Sequence, residues 1–344
     1  MLHDYKEFDK AISFCSNLPA HGSVEWTDEK GKYVISIEND LLGSCIIGEC
    51  FEKIFISDYI DTRPYLSKYK FNCASRSDKV LSIGTFKTHN KVKKFCWDNN
   101  LDFVTVPIPL SNDSFGTNRI SRLGFPSTTG KYPIKTVFNI YLINSTPILS
   151  NILGFGEFIG LYTSVIDYYS IRSQKIPNNV LKYIVDIVTC FTDIFNYASQ
   201  KRIHLIIAAL LFKVLIMRIS PDYQIGCGSD HIFALYFEKR VNMPHGKAVY
   251  LGMLISLLLF PEWENFGLNF TNMEKLGIQT GIISKMDIET ITAIAVSELL
   301  RNASRFRPNR PTNIMPKNFT TQDIKIFQVR VNQYRKLNLW AVLN

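Results

Sequence analysis

The chain of 344 residues carries 39 Lys plus Arg against 30 Asp plus Glu, a net charge of +9, with 46% apolar and 20% charged residues. This balance is that of an ordinary globular protein and excludes disordered and collagen-like chains. The basic residues are spread along the chain, so the charge suits an acidic small molecule such as a phosphate ester as well as it suits nucleic acid.

Seven cysteines without a CxxC pair indicate neither a disulfide framework nor a zinc ribbon, and read as a reducing, cytoplasmic compartment. The N-terminal MLHDYKEFDKAISF carries acids early and lacks the apolar core of a signal peptide. Ile203 to Met217, the most apolar stretch, contains His204 and Lys213. It falls short of the roughly 20 residues that a membrane span needs, and predicts a buried core helix.

In chain order, Lys53 to Ser57 (KIFIS), Val80 to Ile83 (VLSI) and Phe103 to Val106 (FVTV) read as short buried strands. Thr88 to Trp97 has the length of a crossover helix between the last two. Strands alternating with helices predict a parallel sheet in a doubly wound α/β domain. TVFNIYLINST, from Thr136, reads as a final strand. Beyond Ser150 the texture becomes helical, with apolar residues at helical spacing in Val180 to Tyr197, Arg202 to Arg218, Lys247 to Phe260 and Ile288 to Arg301. Asn178 and Asn179, after Pro177, can cap the first of these. The expected division is an α/β domain over 1–150 and an all-α domain over 151–344.

Three stretches of the C-terminal half place metal-competent side chains beside glycines: GFGEFIGLYTSVIDYYS from Gly154, GCGSDHIFALYFE from Gly226 and MPHGKAVYLGM from Met243. One carboxylate and two imidazoles, Glu157, His231 and His245, leave an open position on a divalent ion, as a catalytic zinc requires in order to polarise a substrate oxygen. Their separation in sequence fixes no geometry, and a lone histidine on a helix is more often a satisfied structural residue. No P-loop, GxSxG elbow or HExxH motif occurs, so nucleotide hydrolysis, an α/β-hydrolase mechanism and zincin proteolysis lack support. Phe and Tyr follow apolar periodicity without basic-aromatic stripes, which disfavours a nucleic-acid surface.

Taken in order, these blocks resemble the archaeal-type sn-glycerol-1-phosphate dehydrogenases, within the dehydroquinate synthase and iron-containing alcohol dehydrogenase superfamily. GFGEFIGLYTSVIDY is similar to a GFGD block, GSDHIFALYFE to GSEHxFxHxLD, MPHGKAVYLGM to HGExVxxG, and RNASRFRPNRPTNIM (Arg301 to Met315) to AHRIRPERYT. The resemblance covers about residues 75 to 320. It implies a dehydroquinate synthase-like fold: a Rossmann-like nucleotide-binding domain over 1–150, a helical metal- and substrate-binding domain over 151–344, and a substrate cleft between them. It also implies zinc, or another divalent metal, on Glu157, His231 and His245, with Glu157 in place of the family's Asp. FVTVPIPLSNDSFGT places Asp113 on the family's substrate-binding Asp and Asn112 where the family has His. A phosphorylated substrate and a homo-oligomer follow from the same likeness.

The departures gather on the cofactor side. The family's GGG(K/S)xxD loop corresponds to Gly84, Thr85, Phe86, Lys87, Thr88, His89 and Asn90. Glycines let backbone N–H groups approach a pyrophosphate closely, so Cβ atoms at Thr85 and Phe86 argue against NAD(P) binding in the family's manner. Gly84, Thr85 and Lys87 are the cofactor candidates that remain, with Asp58, after the KIFIS strand, as a ribose acceptor. Lys247 stands where the family has Glu and is a catalytic candidate beside Asp113; an outward-pointing Lys247 is equally compatible with the sequence. Arg305, Arg307 and Arg310 can anchor a phosphate or form a solvated helix end.

The implied activity is a metal-dependent, NAD(P)-linked oxidation of a small polyol phosphate such as glycerol 1-phosphate, or reduction of dihydroxyacetone phosphate. Two alternatives stay open: a same-fold sugar-phosphate cyclase or lyase, and a noncatalytic binding subunit that has lost NAD binding.

Overall fold

The computed structural model describes residues 79–287, apart from 123–124, 145, 196–198 and 221, and beyond them 312–314, 322, 325 and 327–333; on the N-terminal side it describes the strands at 23–29, 32–38 and 53–55. Asp58, the helix expected over 288–301, and Arg305, Arg307 and Arg310 lie outside the described residues.

Strands β1 (Ser23–Glu29), β2 (Lys32–Glu38), β3 (Lys53–Phe55), β4 (Lys79–Gly84), β5 (Asp102–Pro107) and β8 (Lys135–Asn139) form a sheet in the order β2-β1-β8-β5-β4-β3. The expected parallel arrangement holds for β3, β4, β5 and β8. It fails at the other edge, where β1 runs antiparallel to both β2 and β8. A second antiparallel pair, β6 (Arg119–Arg122) with β7 (Phe125–Thr129), also escaped the sequence reading.

The crossover helix between β4 and β5 is α1 (Phe86–Asp98). Strand side chains alternate between faces, and β5 shows it. Phe103 packs with Val80, Val92, Cys96 and Leu101 on the α1 side, while Val104 and Val106 join Ile83, Ile108 and Val137 on the other. Burial of both faces explains why these strands read as unbroken apolar runs. The TVFNIYLINST stretch is not one strand: β8 ends at Asn139 and the short helix α2 (Ile140–Asn144) follows. Val137 and Phe138 are buried in succession as in a two-faced strand, whereas Ile140 and Ile143 are buried at the spacing of a helical turn.

In the first turns of α1, His89 is 1% exposed and its Nδ1 lies 2.7 Å from Ser82 Oγ. Burial, with the nearby Lys93 charge, pushes its pKa down to about 3. The unfolded chain therefore takes up a proton near the ordinary value of 6.5 that the folded chain refuses. Stability is full above pH 6.5 and is lost as pH falls toward 3, by as much as ~4 kcal/mol. His89→Phe is expected to flatten this slope. Urea melts at pH 7 and pH 5 should show a smaller pH effect in the variant; an unchanged effect would contradict the assignment.

The helical part comprises α3 (Ile148–Ile171), α4 (Asn178–Phe195), α5 (Ser199–Ile219), α6 (Ser229–Val241), α7 (His245–Leu259) and α8 (Phe270–Thr280). α4, α5 and α7 match expected helices, and Asn179 Oδ1 accepts from the Val180 N–H at the start of α4. α3 is long and apolar enough to cross a bilayer, but 78% of its apolar window is buried inside the protein, which makes it a core helix.

The chain divides into two compact units, Met1–Phe155 with Ile194–Pro221, and Gly156–Asp193 with Asp222–Asn344. In the first, Asn151 is fully buried and satisfied: its side chain accepts from the Leu110 N–H at 2.8 Å and donates to Ile143 O and Thr146 Oγ1. In the second, the Tyr162 hydroxyl donates to Trp263 O and accepts from the Leu268 N–H.

Candidate metal centre

Three helices of the second unit meet through their smallest residues. A Cβ on Gly156 of α3 would lie 2.6 Å from Gly246 O, and one on Gly252 of α7 would lie 2.1 Å from Asp230 O. Such spacing lets α7 sit directly against α3 and α6. The side chains beside these glycines are consequently brought together.

Glu157 on α3, His231 on α6 and His245 at the first position of α7 each offer a ligand atom, all within 4.8 Å of one another. His231 Nε2 lies 3.2 Å from Glu157 Oε1 and His245 Nε2 lies 3.1 Å from Glu157 Oε2. Glu157 is 1% exposed and His231 7%. The three residues singled out from the sequence thus form one cluster.

Two further carboxylates, absent from the sequence reading, orient the imidazoles. Asp230 Oδ2 lies 2.5 Å from His231 Nδ1, and Glu238 Oε1 contacts His245 Nδ1. Each carboxylate accepts from its Nδ1 and leaves Nε2 facing Glu157, the ring edge that would ligate a metal once its proton is displaced; such backing holds metal-binding histidines in one tautomer. Asp230 is itself fixed, since its Oδ1 accepts from Ser164 Oγ at 2.7 Å and from the Gly228 N–H at 3.0 Å. Burial works against a charge on His245, but Glu157 and Glu238 outweigh it and hold the imidazolium up to about 10.

Another buried carboxylate of α3, Asp167, holds the start of α6. Asp167 accepts from the Ser229 N–H and hydroxyl through one oxygen, and from the Asn313 N–H and amide through the other. Burial pushes its pKa up to about 6, against the pull of these donors. Cys227, between the two glycines that precede α6, is a partly buried thiol.

The donor set fits a divalent ion: one carboxylate oxygen and two imidazole nitrogens converge, each imidazole backed by a second carboxylate, and fewer than four protein ligands leave room for a substrate oxygen. Glu238→Gln tests the backing group. It keeps the size of the side chain and removes its charge, and the affinity for Zn2+ is expected to fall about 10- to 100-fold. Competition with a chromophoric chelator would measure this, and an unchanged affinity would deny Glu238 its role.

The other candidates are placed as follows. Lys247, in the first turn of α7, puts its Nζ 2.7 Å from Asp287 Oδ2, so its charge is engaged by a carboxylate. Although burial would raise it, hydrogen bonds from Lys247 and Ser284 hold the Asp287 carboxyl below its ordinary range.

In the first unit, Gly84 ends β4 at φ 140°, a conformation that only glycine adopts readily. Thr85 precedes α1 without capping it through its side chain, and Lys87 is exposed. Asp113 lies in the loop after β5, with its carboxylate 3.4 Å from the buried Lys213 Nζ. Asn112 Oδ1 accepts from the Ser114 N–H and shapes the same loop.

No protein-family model matches the chain. It is 26% identical to the glycerol-1-phosphate dehydrogenase [NAD(P)+] of Aeropyrum pernix over 270 residues, 72% of each protein. To the enzyme of the same name from Thermoplasma volcanium it is 24% identical over 245 residues, 68% of each. These names carry NAD(P), so they lend no support to the expectation that the altered loop weighs against the cofactor.

Among solved structures, a probable glycerol dehydrogenase from Sinorhizobium meliloti superposes with a TM-score of 0.62 at 13% identity, over 85% of this chain and 94% of that one. Glycerol dehydrogenase from Schizosaccharomyces pombe gives a TM-score of 0.56 at 16% identity, over 82% and 76%. An iron-containing alcohol dehydrogenase from Thermotoga maritima gives 0.51 at 14%, over 79% of each. The chain is similar in sequence to glycerol-1-phosphate dehydrogenases and has the fold shared by glycerol dehydrogenases and iron-containing alcohol dehydrogenases.

Proposed function

We propose that the chain is a divalent-metal-dependent, NAD(P)-linked oxidoreductase that interconverts glycerol 1-phosphate and dihydroxyacetone phosphate, or a close polyol phosphate. The observation that carries this reading is the convergence of Glu157, His231 and His245, on a chain whose curated relatives bear that activity in their names. Zinc is the ion that the nitrogen-rich donor set favours, and when bound it supplies a Lewis acid for the substrate oxygen.

The chain's own residues supply the rest. Glu157 provides the negative charge of the site, while Asp230 and Glu238 keep both imidazoles in the ligating tautomer. Asp113 accepts a hydrogen bond from a substrate hydroxyl. The α/β unit is the nucleotide-binding domain, with Gly84, Thr85 and Lys87, at the turn that opens α1, as the residues that would hold NAD(P). Thr85 and Phe86 stand in for glycines of a triple-glycine turn but keep the helix start that would attract a pyrophosphate. Lys247, engaged by Asp287, contributes to the field around the metal and not through direct contact.

The test is calorimetric titration of the zinc-loaded protein with NADH and NADPH separately, followed by NAD(P)H oxidation with dihydroxyacetone phosphate. Binding and turnover that chelation abolishes support the reading. Metal binding without nucleotide binding would replace it with a same-fold metal enzyme that transfers no hydride, and binding of neither would favour a noncatalytic subunit.

A further inference from the structure

Helix α5 is apolar on nearly every face, yet Lys213 in its middle is 0% exposed. A buried ammonium costs several kcal/mol unless a carboxylate and hydrogen bonds compensate it. Its Nζ lies 3.4 Å from Asp113 Oδ2, and Asp113 is 16% exposed. The lysine is therefore sealed inside the first unit, while the carboxylate above it reaches the surface.

Asp113 belongs to the loop that leaves the carboxyl end of β5, where ligands bind in open α/β sheets. The loop is held along its length from below. Thr105 Oγ1 donates to Phe115 O at 2.9 Å, Arg218 Nε of α5 donates to Gly116 O at 3.0 Å, and Lys93 Nζ of α1 donates to Thr117 Oγ1 at 3.2 Å and to Arg119 O at 3.1 Å. These contacts fix the backbone on one side of Asp113; Lys213 Nζ faces its carboxylate directly, and the Lys93 charge is also felt there.

The geometry points to Lys213 as a positioning residue: from beneath the loop it holds one oxygen of Asp113, so that the other is presented to a hydroxyl of the polyol phosphate. The inference rests on the reading of Asp113 as the substrate-binding acid. It predicts that Lys213 acts on substrate only through Asp113.

The experiment is a kinetic double-mutant cycle on the zinc-loaded, full-length protein with dihydroxyacetone phosphate and NAD(P)H. Lys213→Met fills the same volume without the charge, and is expected to raise the KM for dihydroxyacetone phosphate about tenfold while kcat and the KM for NAD(P)H stay within about twofold. In an Asp113→Asn background the same change should have no further effect. Lys213→Gln carries the same comparison should Lys213→Met not fold.

A KM unchanged by Lys213→Met, or an effect that persists in full beside Asp113→Asn, overturns the positioning role. A wild-type protein with neither turnover nor binding of dihydroxyacetone phosphate overturns the functional reading itself, and the inference with it. A working wild type whose KM ignores Asp113→Asn removes the inference and leaves the dehydrogenase reading standing.

Discussion

His245→Ala is expected to reduce bound zinc from about one equivalent to less than about a tenth, and to lower turnover at least ~1000-fold, the scale of losing an electrophilic group that stabilises developing charge. The fold should survive. His245 opens α7, with a side chain 35% exposed, so its removal leaves no sealed cavity. The helix retains Gly246, Gly252 and the apolar face that packs against its neighbours. Glu157 keeps its contact with His231. Elemental analysis after dialysis, with circular dichroism beside it, measures both effects. Full occupancy in the variant would remove His245 from the ligand set, and a collapsed spectrum would show that the imidazole is structural.

Gly252→Ala should be the most damaging single methyl in the second unit. The added carbon would meet Asp230 O at 2.1 Å, Asp230 C at 2.9 Å and Asp230 Cα at 3.1 Å. All three are backbone atoms of α6, and a helix backbone cannot rotate away as a side chain can. α6 and α7 must therefore separate, at a cost of about 3 kcal/mol or more. Because Asp230 also orients His231, zinc affinity should fall with stability. Chemical denaturation of the metal-free protein isolates the first effect and chelator competition the second. A variant as stable as the wild type would mean that the two helices are looser than their contact distances imply.

Local features were the most legible in the sequence. β4 and β5 are apolar runs with strand-forming residues, and α4, α5 and α7 carry helical periodicity over many residues, so neither needed knowledge of a partner. β1 and β2 were missed. Their polar alternation reads as surface chain until β8 is known to complete the sheet. TVFNIYLINST was misread because short apolar runs do not distinguish a strand from a buried helical turn.

The three residues that the structure clusters, Glu157, His231 and His245, were legible through the order of the blocks and not through their spacing. Their supports were not: Glu238 reaches His245 across the turn between α6 and α7, and nothing at that spacing announces it. Lys213 was visible as the charge that interrupts an apolar stretch. Its meaning depended on Asp113, a hundred residues earlier in the chain, and such pairing is a property of the fold alone.

The double clasp of Asp167 makes a remote piece of chain part of the foundation of the candidate metal centre. One oxygen holds the first residue of the helix that carries His231, and the other holds Asn313. If the 312–314 stretch is displaced, a buried carboxylate loses half of its donors, and the penalty falls where α6 begins. Asn313 is thus under constraint from a site that it reaches through Asp167, 146 residues away in the chain. Substitutions around Asn313 would register as loosened metal retention before they registered as lost structure of their own.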